Sequence, residues 1–396
     1  MPWLLEMTIL VSVLMIPAVF YLSFRLYNIS KDYFTRNKWI KFVLPIFLFS
    51  FYLFPISGSI DFYISGEIDV LKYPKLLTYW FWFGLVFVFQ LATWIILADI
   101  GKLISRFLVA DTALVNRWHT RVVFGLFLLT FLFMGWKTYK DTTQIVTDEL
   151  SIAIDDLPAS LKGFKLVHIS DIQGDEYTGR KEIARYVEAV NATNPDLIIF
   201  TGDLISYGTD FIAMSAQELG KVRATYGTIA VVGDHDYWAG TPNIEQALAN
   251  EGIPLLQNQN QKFSSDGDHT VRVTGITEVY SKTSDPEVVD SVTNNAGGAA
   301  LKIFASHQVD DDLVAEAQQN GYDMMLAGHT HGGQIRVPFF GMGFSAAERE
   351  TKYVSGLYHK NKLPIHINNG LGFTLGPIRY DAQPTVTVIT LKEKDR

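Results

Sequence analysis

The first third of the chain alternates apolar runs with short charged loops, and this pattern restricts the fold more than any other feature. Four runs rich in aliphatic and aromatic residues occupy positions 7–24, 42–60, 76–100 and 122–136. A helix needs about 20 apolar residues to cross a bilayer, and inside a bilayer only helices and closed barrels satisfy their backbone polar groups. The runs therefore predict four transmembrane helices. Buried core helices of a soluble domain are the alternative.

The charges of the loops predict the direction in which the helices run. Lys and Arg are concentrated after the first and third runs, whereas the loop after the second run has two Lys beside three acidic residues. Loops rich in Lys and Arg stay in the cytoplasm. Four spans then place both chain ends outside. We therefore expect a multi-pass protein of a bacterial inner or cell membrane, with an extracytoplasmic C-terminal domain.

The rest of the chain has the composition of an ordinary soluble domain. We expect a four-helix transmembrane domain over residues 1–140 and a second domain over residues 150–396. The formal net charge of −8 argues against nucleic acid as a partner, because nucleic-acid binders carry a basic patch or stripe. The chain has no cysteine, which excludes thiolate metal ligands, disulfides and cysteine nucleophiles.

Five short apolar runs in the second domain each lead into an Asp or a His. The first, at 164–170 (FKLVHIS), precedes Asp171. The polar residues that follow the other four runs are Asp203, then Asp234 with His235 and Asp236, then His307, and finally His329 with His331. Amphipathic helical patterns lie between the runs, and alternating strands and helices indicate an α/β sheet. Functional residues of such sheets gather at the carboxyl ends of the strands.

The segment 327–334 (AGHTHGGQ) carries two imidazoles one residue apart in a glycine-rich turn. Histidine is the commonest metal ligand, and the glycines let the two side chains diverge toward neighbouring ions. Carboxylates mixed with imidazoles suit Mn²⁺, Fe or Zn²⁺. Together with the polar strand ends, this segment predicts a site for two divalent metal ions.

In their order along the chain, these motifs resemble those of the calcineurin-like metallophosphoesterases, from about residue 157 to the C-terminus. Residues 328–338 (GHTHGGQIRVP) and 369–376 (NGLGFTLG) resemble a membrane-associated subgroup. That subgroup includes phosphodiesterases of lipid-linked substrates, among them a UDP-2,3-diacylglucosamine pyrophosphatase. The resemblance implies a four-layered α/β sandwich that binds two divalent metal ions.

The resemblance also implies a role for each motif residue. The implied ligands are Asp171 and His331 for the first metal, Asp203 as a bridge, and Asp234, His307 and His329 for the second metal. His235 would protonate the leaving group, and Asp236 would orient the ring of His235.

Two positions depart from the family pattern. Gln173 stands where the family usually has His, and an amide oxygen is a poorer ligand for these metals than imidazole; we retain it as a candidate ligand of the first metal. Asp234 stands where the family usually has Asn. A carboxylate there binds a cation more tightly but adds negative charge beside an anionic substrate. Asp175 is either a compensating ligand or a turn residue.

Together these features predict a membrane-anchored, metal-dependent phosphohydrolase acting on a phosphodiester or pyrophosphate bond, with a lipid-linked or cell-envelope substrate. Arg379 is a candidate for binding the substrate phosphate, or a surface residue in a salt bridge. The apolar run 338–344 (PFFGMGF) could admit a lipid tail, enter the membrane interface, or pack against the transmembrane helices or the core. The alternative function is a degenerate domain that binds a phosphorylated ligand and signals through the helices. A transport or sensor module is a third possibility.

Overall fold

The computed structural model describes residues 3–34, 39–66, 74–265, 269–278, 285–294 and 298–394. The chain divides into two compact units. Unit 1 contains Met1–Thr142, Ile335–Ser345 and Leu375–Asp381. Unit 2 contains Thr143–Gln334, Ala346–Thr374 and Ala382–Arg396. Two short segments from the expected second domain therefore belong to the helical unit.

Five helices form most of unit 1 in the part of the chain that the structure describes. Their bounds are Trp3–Tyr33 (α1), Ile40–Phe49 (α2), Leu53–Ser65 (α3), Lys75–Leu108 (α4) and Thr112–Thr143 (α5). One 3₁₀ turn joins α2 to α3, so the described residues contain four helical stretches long and apolar enough to cross a membrane. The predicted four apolar helices are confirmed. Their shared core combines aliphatic side chains with aromatic rings, among them Phe47, Phe51 and Phe87 in edge-to-face contact.

Fourteen strands follow in the described residues. Their bounds are Val146–Ile154 (β1), Lys165–Ile169 (β2), Leu197–Phe200 (β3), Thr228–Val231 (β4), Leu255–Leu256 (β5), Gln259–Ser265 (β6), His269–Ile276 (β7), Leu301–Ser306 (β8), Met324–Ala327 (β9), Val337–Phe339 (β10), Met342–Phe344 (β11), Gly356–Lys360 (β12), Leu363–Ile367 (β13) and Thr385–Glu393 (β14). Unit 2 holds two six-stranded sheets, ordered β1-β14-β2-β3-β4-β5 and β12-β13-β9-β8-β7-β6. β10 and β11 form a separate antiparallel hairpin in unit 1.

Unit 2 is a helix–sheet–sheet–helix sandwich, as expected. Its helices are Arg180–Asn191 (α6), Ile212–Leu219 (α7), Asp234–Asn250 (α8), Pro286–Asn294 (α9) and Asp311–Gln319 (α10). The two sheets pack against each other through buried aliphatic residues such as Leu166 and Ile199 of the first sheet and Val273 and Ile303 of the second. α6, α7 and α8 cover the outer face of the first sheet, and α9 and α10 cover that of the second.

The parallel strands bring the polar loops to one edge of each sheet. β2, β3 and β4 pair in parallel, and so do β7, β8 and β9. All four residues of β3 are buried, which explains its uninterrupted apolar sequence in a sheet covered on both faces. The predicted site residues therefore begin at the carboxyl ends of neighbouring parallel strands.

Candidate metal centre

Three carboxylates and one imidazole meet in the buried interior of unit 2. Asp171 follows β2, Asp203 follows β3, and Asp234 begins α8; all are at most 1% exposed. Nε2 of His307, which follows β8, lies 2.9 Å from Oδ1 of Asp234, 3.3 Å from Oδ2 of Asp203 and 3.8 Å from Oδ1 of Asp171. The structure thus gathers four residues that the sequence places on four different loops.

The hydrogen bond made by Nδ1 of His307 determines whether Nε2, the nitrogen that faces the carboxylates, carries a proton. Nδ1 of His307 lies 2.6 Å from the carbonyl oxygen of Thr201. A carbonyl only accepts, so Nδ1 carries the proton and a neutral ring turns the lone pair of Nε2 toward the carboxylates. Burial opposes a charged ring, but Asp203 and the neighbouring carboxylates outweigh it and raise the pKa of His307 well above its ordinary value. The three carboxylates therefore favour a positive charge beside Nε2 of His307.

The two histidines of the 327–334 segment approach the cluster from β9. Nε2 of His331 lies 3.3 Å from Oδ1 of Asp171, and Nδ1 of His329 lies 3.1 Å from Oδ1 of Asp234. Among the described residues, three groups have donor atoms close enough to share one ion: Asp171 with Asp203 and His307, Asp234 with His307 and His329, and Asp203 with Asp234 and His235. Asp203, Asp234 and His307 each belong to two of these groups, so neighbouring ions would share ligands.

Gln173 extends the cluster beside Asp203. Its Nε2 donates to Oδ2 of Asp203 at 2.6 Å. Within the described part of the chain, Oε1 of Gln173, Oδ1 of Asp171 and Nε2 of His307 are buried without a hydrogen-bond partner. Leaving such atoms buried and unsatisfied costs about 1–3 kcal/mol each. Bound divalent cations would satisfy all three, so this set of donors fits a metal centre.

The carboxylate of Asp236, which the family resemblance assigns to orienting the His235 ring, is bound by backbone groups in the structure. It accepts backbone N–H groups from Asp203 at 2.8 Å, Leu204 at 2.9 Å and Gly233 at 3.0 Å. Asp236 therefore fixes the loop that carries Asp203, because a carboxylate that accepts three backbone donors is already committed to them.

A backbone group holds the ring of His235. Nδ1 of its ring hydrogen-bonds to the carbonyl oxygen of Ser206, and the indole of Trp238 lies 5.2 Å from the imidazole, centroid to centroid. Since a carbonyl only accepts, Nδ1 carries the proton, and Nε2 is the nitrogen left for proton exchange.

Comparison with known proteins identifies the domain that contains this cluster. Residues 164–333 match the family model of the calcineurin-like phosphoesterases. This chain carries a calcineurin-like metallophosphoesterase domain. The family uses a centre of two divalent metal ions, in agreement with the buried Asp and His groups, and the domain is a hydrolase of phosphoester bonds.

Relatives of the metallophosphoesterase domain occur with and without membrane segments in their names. The uncharacterized metallophosphoesterase YkuE of Bacillus subtilis is 28% identical, over 65% of this chain and 89% of its own length. A zebrafish (Danio rerio) protein named transmembrane protein with metallophosphoesterase domain is 26% identical, over 74% of this chain and 68% of its own. The phosphodiesterase YaeI of Escherichia coli is 27% identical, over 58% and 82%.

One contact in the metallophosphoesterase domain had no sequence indication. Nε2 of His329 lies 2.8 Å from Oε1 of Glu350, which comes from a polar loop after the metal-binding segment. Burial disfavours the charged ring, but Asp234 and Glu350 raise the pKa of His329 to about 9. Glu350 therefore helps to fix the orientation of this candidate ligand. A polar loop such as 346–351 carries no pattern that points to this role.

Backbone conformation aims the candidate ligands of the domain. Five of them lie in the left-handed region, with φ of 52° at Asp171, 52° at Gln173, 63° at Asp203, 72° at His329 and 51° at His331. This conformation costs an L-residue about 1–2 kcal/mol. The surrounding sandwich holds the turns in it, and the side chains converge as a result.

Two further candidates from the sequence remain, Arg379 and Asp175. Arg379 belongs to unit 1, its side chain is fully buried, and its backbone N–H donates to Oγ1 of Thr142 at 3.0 Å. It is not the surface residue that the sequence allowed, and its role in substrate binding stays a prediction. Asp175 is a turn residue, because its carboxylate accepts from the backbone of Tyr177 and Thr178.

Proposed function

We propose that this protein is a membrane-anchored, metal-dependent phosphohydrolase that cleaves a phosphodiester or pyrophosphate bond in a lipid-linked or cell-envelope substrate. The observation that carries the proposal is the buried cluster of Asp171, Asp203, Asp234 and His307 in a chain with four apolar helices. The zebrafish relative is named a transmembrane protein and the E. coli relative a phosphodiesterase, which supports both parts. The positive loops after the first and third spans support an outward-facing domain.

In this proposal the first metal is held by Asp171, Gln173 and His331, and the second by Asp234, His307 and His329, with Asp203 between them. Bound divalent ions would neutralise the charge of the phosphoryl group and lower the pKa of the attacking water. The chemistry suits Mn²⁺, Fe or Zn²⁺.

His235 is the proton donor to the leaving oxygen in this proposal. The Ser206 carbonyl holds its Nδ1 proton, so the exchangeable proton is the one on Nε2. Proton transfer by a positioned side chain contributes about 10²–10⁴-fold to rate. His235 lies in the first turn of α8, after Gly233, whose backbone N–H donates to Asp236, and this keeps the ring beside the carboxylate cluster.

The first test is hydrolysis of bis(p-nitrophenyl) phosphate by the full-length protein purified in detergent. We expect turnover with added Mn²⁺, loss of turnover with a chelator, and a fall of about 10²-fold in His329→Ala, in line with the loss of a metal-site residue. His359→Ala is the matched control, because His359 is exposed on β12 and lies outside the cluster; it should retain full activity.

The opposite result would support a different function. A well-folded protein that binds divalent metal but hydrolyses neither soluble nor lipid phosphodiesters would favour the receptor for a phosphorylated ligand. Equal losses in His329→Ala and His359→Ala would point to a folding effect and remove the support for this cluster as the catalytic centre.

A further inference from the structure

The β10–β11 hairpin of unit 1 packs on the middle of α4. The ring of Phe339 lies 6.2 Å from that of Phe89, at 90°. The backbone N–H of Phe340, at the tip of the hairpin, donates to the hydroxyl of Thr93 at 3.3 Å. The apolar run that follows the metal-binding segment therefore rests against a helix long enough to span a membrane.

The length of α4 fixes the depth of this contact. With 34 residues and a rise of 1.5 Å per residue, α4 is about 51 Å long, whereas the hydrocarbon core of a bilayer is about 30 Å thick. Wherever a hydrocarbon core of about 30 Å lies along a helix of about 51 Å, it includes the part of the helix between about 21 and 30 Å from the first helical residue. Phe89 and Thr93 lie at about 21 and 27 Å from Lys75 by the same rise. A tilted helix only widens this zone.

The face of the hairpin that is turned away from the protein is apolar. Phe340, Met342 and Phe344 are 43%, 56% and 48% exposed, and residues 337–344 contain no charged side chain. Exposed aromatic and thioether groups of this size are costly in water, at about 25 cal/mol for each Å² of apolar surface. They are stable against lipid.

The backbone of the hairpin also meets the demands of a bilayer. Polar backbone groups at membrane depth need partners within the protein. The two strands pair with each other, the Thr93 hydroxyl accepts from the N–H at the tip, and the N–H of Arg336, at the base, donates to the carbonyl of Tyr380 at 3.0 Å. Phe340 and Gly341, with φ of 50° and 80°, make a two-residue turn that leaves little backbone at the tip.

We propose that the β10–β11 hairpin enters the hydrocarbon core beside α4 and that Phe340, Met342 and Phe344 contact lipid acyl chains. The inference rests on the proposed membrane location of α4. It adds a non-helical membrane contact that begins within a few residues of His331 in the sequence. The occupant of this face is the bilayer itself, since the face continues the apolar surface of a spanning helix.

The absence of cysteine permits a direct test with single-cysteine variants of the full-length protein in liposomes. A nitroxide label is placed at Met342→Cys, at Leu97→Cys on α4, where the native side chain is 43% exposed, and at Lys360→Cys on the exposed part of unit 2. Collisions with oxygen, which concentrates in lipid, are compared with collisions with a water-soluble nickel chelate. We expect Met342→Cys to match Leu97→Cys, with oxygen favoured, and Lys360→Cys to show the reverse.

Three results would overturn the inference. Nickel access at position 342 equal to that at 360, with position 97 in lipid, places the hairpin in water. Nickel access at position 97 removes the membrane location of α4 and with it the membrane part of the proposed function. Low access to both reagents at 342 means that protein, such as a second copy of this chain, covers the face. Phe344→Cys repeats the measurement if Met342→Cys does not fold.

Discussion

At the scale of single residues, Gln173 is the clearest departure from the ligand set of the family. Its amide both donates to Asp203 and leaves an oxygen without a hydrogen-bond partner among the described residues. The amide nitrogen binds the carboxylate of Asp203, and in the proposed site the amide oxygen would bind the first metal. A neutral side chain can therefore serve where the family usually has imidazole, because it contributes to two groups at once.

Replacing Gln173 with Ala should weaken metal binding more than it slows the saturated enzyme. Outer contacts that orient metal ligands are worth about 10–100-fold in affinity, so the Mn²⁺ concentration for half-maximal activity should rise by at least tenfold. Calorimetric titration of Mn²⁺ into the chelator-treated protein checks this directly. An unchanged affinity would mean that Gln173 takes no part in the site.

A second residue-scale feature is a buried pair of histidines between the sheets. Nδ1 of His168 lies 2.8 Å from Nδ1 of His366, and its Nε2 lies 3.0 Å from the hydroxyl of Thr201. Burial lowers the pKa of His168 well below its ordinary value, assisted by His366, and burial lowers the pKa of His366 to about 4. Both rings are neutral in the folded protein at pH 7.

This pair should destabilise unit 2 in mild acid. Below about pH 6.5 the unfolded chain protonates these rings, whereas burial keeps His168 neutral in the folded chain and His366 neutral until about pH 4, so the free energy of unfolding falls as pH drops through that window. At pH 5 the loss is about 2 kcal/mol for His366, and His168 adds a loss of the same sign. Hydrogen exchange of β2 and β13 amides at pH 7 and pH 5, corrected for intrinsic rates, measures it. His366→Gln should remove about half of the pH effect; an identical drop in this variant would contradict the assignment.

The sequence could indicate only those roles that depend on the chemistry of a side chain. Asp171, Asp203, Asp234 and His307 follow apolar strands, and the loops do bring them together. Sequence adjacency of Asp236 to His235 does not reveal that the Asp236 carboxylate accepts three backbone N–H groups. The carbonyl of Ser206, which holds the ring instead, belongs to the backbone and leaves no trace in residue type.

At the scale of elements, the segment after β13 packs against residues 171–173, the loop that carries Asp171 and Gln173. The backbone N–H of Gly372 donates to the carbonyl of Asp171 at 2.7 Å, and that of Leu371 donates to the same carbonyl at 3.1 Å. A Cβ on Gly372 would lie 2.0 Å from the carbonyl oxygen of Ile172 and 2.8 Å from Cβ of Gln173. Only glycine permits this approach.

Gly372→Ala should therefore displace the loop 171–173 and impair catalysis with little effect on the rest of the sandwich. Misplacing a reacting group by about 1 Å costs about 10²-fold, and kcat/KM for a soluble phosphodiester should fall accordingly. Gly135→Ala is the control, since its Cβ would meet nothing within 4 Å. Full activity of Gly372→Ala would show that the segment after β13 does not position the loop 171–173.

The elements that sequence patterns missed are the polar ones. β6 has only one buried residue, its last, and most of β12 is partly or fully exposed; neither contains the apolar run that marks β3 or β9. The β10–β11 hairpin posed a different difficulty. Its apolar sequence was compatible with a lipid tail, the membrane interface, the helices or the core, and its contacts with Phe89 and Thr93 show that it packs on α4.

At the scale of the whole molecule, the chain crosses between its two units more than once. It leaves unit 2 after Gln334 and again after Thr374, and it returns each time within about a dozen residues. Within unit 2 the Gln334 side chain bonds both backbone groups of Thr374, at 2.5 and 2.8 Å. The two exits are thus tied together. A sequence boundary near residue 150 could not reveal this, because both segments come from far downstream.

The proposed orientation gives a prediction for the intact cell. If the metallophosphoesterase domain faces outward, Lys360→Cys on its surface should react with a membrane-impermeant maleimide on intact spheroplasts. Arg117→Cys, in the loop expected to be cytoplasmic, should react only after permeabilisation. The reverse pattern would place the domain in the cytoplasm and favour a substrate such as a nucleotide-linked lipid precursor.

The left-handed turns at the metal centre bear on how this enzyme can evolve. Asp and His are among the residues that enter that conformation most readily, whereas branched side chains rarely do. Each of the five left-handed positions must therefore satisfy two requirements, a donor atom in the side chain and a left-handed backbone. Few substitutions satisfy both requirements, so we expect these positions to vary mainly among Asn, Asp, His and Gly. Position 173, with φ of 52°, accepts a glutamine, so the requirements on donor atom and backbone are less strict there.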